Sequence, residues 1–298
     1  MPYLRKYLLL SALLLPQLCN GQYLAAFSGY QTSEHAYLGD DSNLQGLVNG
    51  ASLDLRAWRR RSNGWLSRGP KVAFKQGAGT FSSESHVSIY QWRKHQGIWL
   101  STLSQQQTLQ TELSQEHIFL DNAGTANILG VGTLIKNQRS VQRTQLYWHE
   151  SSDNIGPLNL LGVFNLQEST PVSGRLSNTN ASLFEGQFSG FGLILGRLKD
   201  KRGVNFQWQL SLAQLNSDFS NAATSHRTIA PKESSVYQLG VNLSWHYRHY
   251  LAPYWYLVPQ FNVQHSSLIQ TTSNPQTVQH DAFRYLQIQS FISLRRYF

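Results

Sequence analysis

The sequence is poor in cysteine, in charged residues and in long apolar runs, and each shortage excludes a class of protein. Among 298 residues there is one cysteine, Cys19, and 14% of the chain is charged. A single thiol excludes disulfide frameworks and thiolate zinc sites. The apolar run at residues 7–15 is well short of the ~20 residues that a membrane-spanning helix needs, and no later run is longer. A helical membrane protein is therefore excluded as well.

The first residues predict a secretory signal peptide. Two basic residues precede the apolar run, and small residues ending at Gly21 follow it, where a signal peptidase would cleave. We expect export through the Sec pathway, a signal peptide at 1–21 and one mature domain at 22–298. A lipoprotein that uses Cys19 is the alternative, but Leu18 is bulky at a position where lipoprotein processing prefers a small side chain.

The mature segment keeps a basic bias. Two of the 25 basic residues and none of the 16 acidic residues lie in 1–21, so the mature charge is 23 − 16 = +7. This bias favours anionic partners, either small anionic solutes or the phosphates of lipid headgroups. We expect no nucleic-acid partner.

Aromatic residues and period-two alternation are abundant. The chain has 14 Tyr, 14 Phe and 8 Trp. In residues 204–215, 236–247 and 281–298 the apolar side chains fall on one parity and the polar side chains on the other. Successive side chains of a strand point to opposite faces, so these segments predict strands with one apolar and one polar face.

The last of these segments ends the chain on an aromatic residue. In residues 281–298 the apolar parity includes Leu294 and Phe298. A long amphipathic strand that ends in Phe resembles the C-terminal assembly signal of bacterial outer-membrane β-barrels. That class is the resemblance we identify. On size, a solitary autotransporter-like barrel is also considered, although no residues can be matched to that family.

The resemblance implies a fold, a location and partners. The fold is all-β, an antiparallel transmembrane β-barrel, which satisfies its backbone hydrogen bonds within hydrocarbon. The location is the bacterial outer membrane. The partners are outer-membrane lipid and lipopolysaccharide, together with the barrel-assembly machinery that recognises the C-terminal strand through Leu294 and Phe298.

We predict about twelve strands, with ten or fourteen left open. Residues 281–298 are expected to pair with a first strand at 22–30 and to close the barrel. A soluble periplasmic β-sandwich is the alternative, but strands of ~12 to 15 residues are long against the usual five or six.

Three segments are harder to interpret. Residues 32–49 are expected to form a loop, and residues 126–136 a hairpin with residues 141–148. In residues 182–198 the apolar parity changes near Gly190, which predicts a β-bulge at that glycine.

The polar parity of these strands would line the lumen. The candidate lumen cations are Arg56, Lys71, Lys75, Arg143 and Arg248. Rings of Arg and Lys in a pore favour anions, so the first hypothesis is a porin-like channel for small anionic solutes. The second is a plugged barrel with a structural or surface-interaction role, and the third is a lipid-modifying outer-membrane enzyme.

The sequence supports no catalytic, metal or cofactor site. Ser244 and His246 share the polar face of one strand, where lumen polarity explains them better than catalysis does. His246 and His249 are three residues apart, a spacing that places them on opposite faces of a strand. We therefore expect a protein that is not an enzyme and has no cofactor.

Overall fold

The structure is a computed structural model built from β-strands. It describes residues 22–37, 40–55, 57–61, 64–78, 80–93, 96–112, 116–120, 126–150, 158–176, 179–201, 204–220, 223–224, 227–228, 233–270 and 283–298. The signal peptide predicted at 1–21 lies outside these residues. No helix long and apolar enough to cross a membrane occurs in the described part of the chain.

The described residues form eighteen strands, numbered here in chain order. In the first half they are β1 (Tyr23–Tyr37), β2 (Asp40–Asp54), β3 (Ala57–Arg61), β4 (Gly64–Gly77), β5 (Thr80–Arg93), β6 (Gln96–Glu112), β7 (His117–Leu120), β8 (Ala126–Leu129) and β9 (Leu134–Glu150). In the second half they are β10 (Leu160–Leu176), β11 (Thr179–Lys201), β12 (Val204–Ser220), β13 (Ala223–Thr224), β14 (Arg227–Thr228), β15 (Glu233–Tyr247), β16 (His249–Ala252), β17 (Trp255–Gln270) and β18 (Phe283–Tyr297).

Twelve long strands of the described chain form one closed antiparallel barrel. Around the ring they are β1, β2, β4, β5, β6, β9, β10, β11, β12, β15, β17 and β18. Strand β18 returns to pair with β1, with Tyr23 opposite Tyr297. The short strands β3 and β16 continue β2 and β15, because β3 also pairs with β4 and β16 with β17. The predicted twelve-stranded barrel, closed by the C-terminal strand, is confirmed.

The two ends of the barrel differ. Tyr23 and Tyr297 lie at one end, which we name the terminal end, and Tyr37 and Phe283 lie at the other, the distal end. The remaining short strands, β7, β8, β13 and β14, form a small separate sheet. They belong to the connections that follow β6 and β12, so this sheet adjoins the distal end.

The outer surface of the barrel is apolar. On β12 and β18, Leu210, Leu212, Ile288, Ile292 and Leu294 are exposed, while alternate residues face inwards. Phe191 of β11, 74% exposed, shows how far the apolar side chains project. A closed barrel whose outward parity is apolar and whose inward parity is largely polar is built to sit in lipid.

All three segments that were harder to interpret differ from the predictions. Residues 32–37 and 40–49 are not a loop, since they form the end of β1 and most of β2. Their alternation is weak because Val48 faces the lumen, fully buried, whereas Gln45 and Asn49 face outwards. The residues 126–136 and 141–148 do not form a hairpin, because β9 runs unbroken from Leu134 to Glu150.

The bulge predicted at Gly190 is also wrong. Phe188 is 3% exposed and faces the lumen, and Phe191 faces outwards, so one strand phase accounts for both aromatic residues. The pairing of β10 with β11 is instead irregular between Val172 and Ser173, nearer the distal end. Apolar residues on both parities of β11 produced the false change of phase.

Candidate functional site in the lumen

A large cavity occupies the terminal half of the lumen. Its volume is about 2050 Å³, and side chains from all twelve long strands of the described barrel, or from residues adjoining them, line it. It extends to the rim at the terminal end, where Tyr254, Tyr297 and Phe298 line it. We refer to it as the vestibule.

The structure places four of the five candidate lumen cations around the vestibule. Lys71, Lys75, Arg143 and Arg248 all line it, whereas Arg56 lies outside the described residues. The Lys75 ammonium is 5.8 Å from the centre of the Phe291 ring, and the Arg143 guanidinium is 4.0 Å from that of Phe164. Both cations therefore lie against apolar rings of the inner wall.

Sequence reasoning missed one further cation of the vestibule, Arg295, which also lines it. Its signal was available, because it lies on the polar parity of the C-terminal strand. Arg197 and Lys199 reach the rim of the cavity but are opposed to Trp208 and Phe206 on the outward parity. Five inward-facing basic side chains against two acidic ones, Asp54 and Glu84, leave a net formal charge of +3 around the vestibule. Such an excess of positive charge attracts anions.

Neutral amides cover one side of the vestibule, and we name this side the amide wall. Two adjacent rows of directly opposed residues cross β12, β15, β17 and β18. One row is Gln209, Asn242, Gln264 and Gln287. The other is Gln207, Ser244, Asn262 and Gln289. All eight side chains line the vestibule.

Aromatic side chains cover the opposite side. Trp99 of β6 lies 5.0 Å from Tyr90 and 5.4 Å from Tyr147 between ring centres, and His86 stacks on it at 6.4 Å. Strand β6 is six strands from β17 around the ring, so this cluster faces the amide wall. Among these rings, His86, Tyr90 and Trp99 line the vestibule. We name the cluster the aromatic wall.

Nearer the distal end, three side chains meet across the lumen. The Arg139 guanidinium of β9 makes a two-point ion pair with Glu168 of β10, at 2.7 and 3.2 Å. The same guanidinium lies 4.8 Å from the centre of the Tyr285 ring of β18. Strands β9 and β18 are six apart in the ring, so this contact crosses the lumen from wall to wall. We name these residues the Arg139 layer.

Other side chains of the lumen are also buried. The Gln289 amide donates to the Gln31 side-chain oxygen at 2.7 Å, and both residues are buried. An apolar cluster packs on the inner face of β9 to β15; its buried members are Val141, Tyr147, Leu160, Phe164, Leu166, Phe188, Ile194, Ala213, Leu215 and Val236. An apolar patch within a lumen excludes water from that part of it.

The sequence contains a signal for this inner cluster. Residues 158–166 carry apolar side chains on both parities, with Leu161 and Val163 exposed outwards and Leu160 and Phe164 buried inwards. A strand that is apolar on both faces is buried on both faces. In a barrel whose outer face contacts lipid, such a strand predicts that its inner face is covered by other side chains and not by water.

The two residues considered for catalysis both line the vestibule. Ser244 belongs to the amide wall, and His246 lies two residues further along the same strand. Within the described residues no group of three or more His, Cys, Asp or Glu could hold a metal ion.

The C-terminal residues are fixed at the terminal end. Leu294 is exposed on the outer surface. The Phe298 backbone N–H donates to the Gln22 carbonyl at 3.0 Å. The Arg296 guanidinium lies 5.6 Å from the Trp255 ring centre and 5.7 Å from the Phe298 ring centre. Arg296 lies on the otherwise apolar parity of β18, and its charge is held among aromatic rings at the rim.

The fold and its surfaces place the chain in the class of outer-membrane β-barrels. A scan against protein-family models finds no match, and neither does a search of curated proteins. Similar solved structures exist. The translocator domain of the autotransporter NalP from Neisseria meningitidis has 8% identity and a TM-score of 0.41, over 100% of this chain and 95% of that one.

Two further structures are similar at the same level. The β domain of the Bordetella autotransporter BrkA has 11% identity and a TM-score of 0.39, over 94% of this chain and 100% of that one. The toluene transporter TodX from Pseudomonas putida has 8% identity and a TM-score of 0.38, over 94% and 90%. Secretion and toluene transport are properties of those proteins, and we transfer neither to this chain.

Proposed function

We propose that the chain is an integral protein of the bacterial outer membrane whose lumen is closed to solute flow and whose vestibule receives small anions. The observation that carries the proposal is the Arg139 layer. Arg139 is 7% exposed, paired with Glu168 and in contact with Tyr285 of the opposite wall. In an open pore, water would separate these two walls. This is the plugged barrel of the sequence-based alternatives.

The proposal specifies the side of the membrane to which the vestibule opens. The three longest connections between barrel strands, which follow β6, β12 and β17, lie at the distal end. In outer-membrane barrels the longer loops are extracellular and the short turns are periplasmic, so the terminal end faces the periplasm in this proposal. The vestibule therefore opens to the periplasm, and its net charge of +3 concentrates anions there. Its depth ends at the Arg139 layer.

A second candidate function is a porin-like channel for small anions. The observation that favours it is the continuity of positive charge, since Arg143 of the vestibule and Arg139 of the closed layer lie on the same face of β9. In a channel, Arg139 would be the cation at the narrowest point, where a basic residue selects anions. Opening would require Arg139 to leave Tyr285.

Assembly and lipid contact complete the proposal. The exposed apolar surface would contact outer-membrane lipid and lipopolysaccharide after Sec-dependent export. The C-terminal strand, through Leu294 and Phe298, would be recognised by the barrel-assembly machinery. Support comes from the position of Phe298 at the rim, where it is held to Gln22.

Planar lipid bilayers that contain the purified, folded protein distinguish the two candidates. The closed barrel predicts no conductance steps in symmetric potassium chloride. Steps with a reversal potential that indicates anion selectivity would replace it with the porin-like channel. Steps that select cations would contradict both candidates.

A further inference from the structure

We infer that the vestibule is a binding site for an acidic oligosaccharide, a chain of sugar rings that carry carboxylates. This inference rests on the proposed anion-receiving vestibule and adds the chemical class of the ligand. It combines three features of one cavity: the amide wall, the aromatic wall opposite, and the cations between them.

The amide wall presents a regular grid of hydrogen-bonding groups. Directly opposed residues of neighbouring strands have Cβ atoms ~5 Å apart, and residues two apart along a strand are separated by ~7 Å. Each amide offers donors and an acceptor, as a sugar hydroxyl offers a donor and acceptors. In the part of the chain that the structure describes, no hydrogen bond to another protein group is made by the side chains of Gln207, Asn242, Asn262 and Gln264. Their amides are therefore available to a ligand.

The aromatic wall can contact the apolar faces of sugar rings. Trp99 stands between His86 of β5 and Tyr147 of β9, with interplanar angles of 15° and 29°. His86, Tyr90 and Trp99 line the vestibule, so the wall presents aromatic surface to a ligand there. The negative face of an aromatic ring attracts the C–H groups of a saccharide.

The cations supply the preference for acidic sugars. Guanidinium groups bind carboxylates through paired N–H donors. Arg295 is held in place by hydrogen bonds to Gln260 at 3.1 Å and Ser293 at 3.2 Å, so its charge is fixed beside the amide wall. Lys71 and Arg248 line the same vestibule as Arg295.

The volume favours a ligand of several rings. Pockets for drug-sized molecules are ~300–1,000 Å³, whereas the vestibule has about 2050 Å³. An inorganic anion would occupy a small part of it and would leave the amide grid unused. An oligosaccharide could span the distance between the two walls.

Isothermal titration calorimetry on the folded protein in detergent tests the inference. The probes are tetragalacturonate, the uncharged maltotetraose, and citrate, which is an anion without a sugar ring. We expect measurable binding of tetragalacturonate, binding of maltotetraose at least tenfold weaker, and affinity for tetragalacturonate that falls as salt is raised. Citrate should bind at least tenfold more weakly than tetragalacturonate.

Matched variants connect the binding to the amide wall. The double variant Gln207→Ala/Asn262→Ala should weaken tetragalacturonate binding at least tenfold. Gln214→Ala removes an amide from the outer face of the same strand β12 and should leave binding unchanged. Heat-modifiable gel mobility, measured on each variant, shows that the barrel is folded.

The outcomes separate this inference from the proposed function. Equal affinity for citrate and tetragalacturonate, or an unchanged affinity in the double variant, would overturn the saccharide site and leave the anion-receiving vestibule standing. Absence of binding by all three probes would overturn both. Conductance of the wild type, measured separately, bears on the closed lumen alone.

Discussion

Arg139 and Tyr285 meet across the lumen, with 4.8 Å between the guanidinium carbon and the centre of the ring, although their strands lie on opposite sides of the barrel. The contact brings a buried cation to the face of an aromatic ring, where the ring quadrupole stabilises it. Glu168 neutralises the same cation from the neighbouring strand. One side chain thus contacts both walls of the barrel, which is the basis of the proposed closed lumen.

Removal of the Arg139 layer should open the lumen. In Arg139→Ala/Glu168→Ala both members of the ion pair are removed, so no buried charge is left without a partner. We expect conductance steps in planar bilayers where the wild type shows none. Arg143→Ala is the control, because Arg143 lies on the same strand but lines the vestibule below the layer. If the double variant, like the wild type, gives no conductance steps, Arg139 and Glu168 do not close the lumen.

A charge on the outer face should destabilise the barrel far more than one in the vestibule. Leu212 is 52% exposed on the outer face of β12, within the apolar band. Leu212→Arg should lower the free energy of unfolding by about 2–4 kcal/mol if the position lies near the bilayer midplane. Denaturant titration in lipid vesicles measures this change.

The matched control for that experiment is Asn242→Arg. Asn242 lines the vestibule, where a guanidinium can remain hydrated. We expect little change in unfolding free energy. Similar losses in the two variants would mean that the outer and inner faces are wrongly assigned.

Gly192 makes room for the ring of Phe164. A Cβ atom at position 192 would lie 2.5 Å from two atoms of that ring. Phe164 is 3% exposed and carries the Arg143 guanidinium, so it cannot move without disturbing the inner cluster. Gly192→Ala should therefore cost about 1–3 kcal/mol of stability, the usual range for overpacking.

Gly130→Ala is the comparison for this substitution. A Cβ atom at position 130 would meet nothing within 4 Å. Thermal or denaturant unfolding should show the wild-type stability for this variant. If Gly192→Ala and Gly130→Ala have the same unfolding free energy, the contact with Phe164 does not exclude a larger side chain at position 192.

Deletion of Phe298 should impair assembly and leave export intact. The residue ends the closing strand, and its backbone is hydrogen-bonded to Gln22 at the start of the first. We expect the shortened protein to reach the periplasm with its signal peptide removed but to remain protease-sensitive and outside the heat-modifiable fraction. Phe298→Tyr keeps an aromatic ring and should assemble normally. Normal assembly of the deletion variant would rule out a role for the terminal aromatic.

The sequence predicted the second half of the barrel better than the first, for a physical reason. On β12, β15, β17 and β18 the lipid-facing residues are mostly apolar and the lumen-facing residues mostly polar, so the alternation with period two is clear. On β2 that contrast fails, because Val48 points inwards while Gln45 and Asn49 point outwards.

The sequence predicts which side chains face the lumen but not which of them contact one another. Parity along a strand placed Lys71, Lys75, Arg143 and Arg248 on the polar face, and all four line the vestibule. The pairing of Arg139 with Glu168 depends on the register between β9 and β10, and its contact with Tyr285 depends on closure of the ring. Neither is encoded by local alternation.

The direct hydrogen bond between Gln31 and Gln289 joins residues 258 positions apart in the chain. Both belong to the seam where the first strand meets the last, so this bond cannot form until the whole chain has been synthesised and exported. The first strand must remain unpaired on one edge for all of that time, and unpaired strand edges are prone to aggregation. Closure by such distant partners is intrinsically slow. The seam therefore sets the period during which the unfinished barrel needs protection in transit.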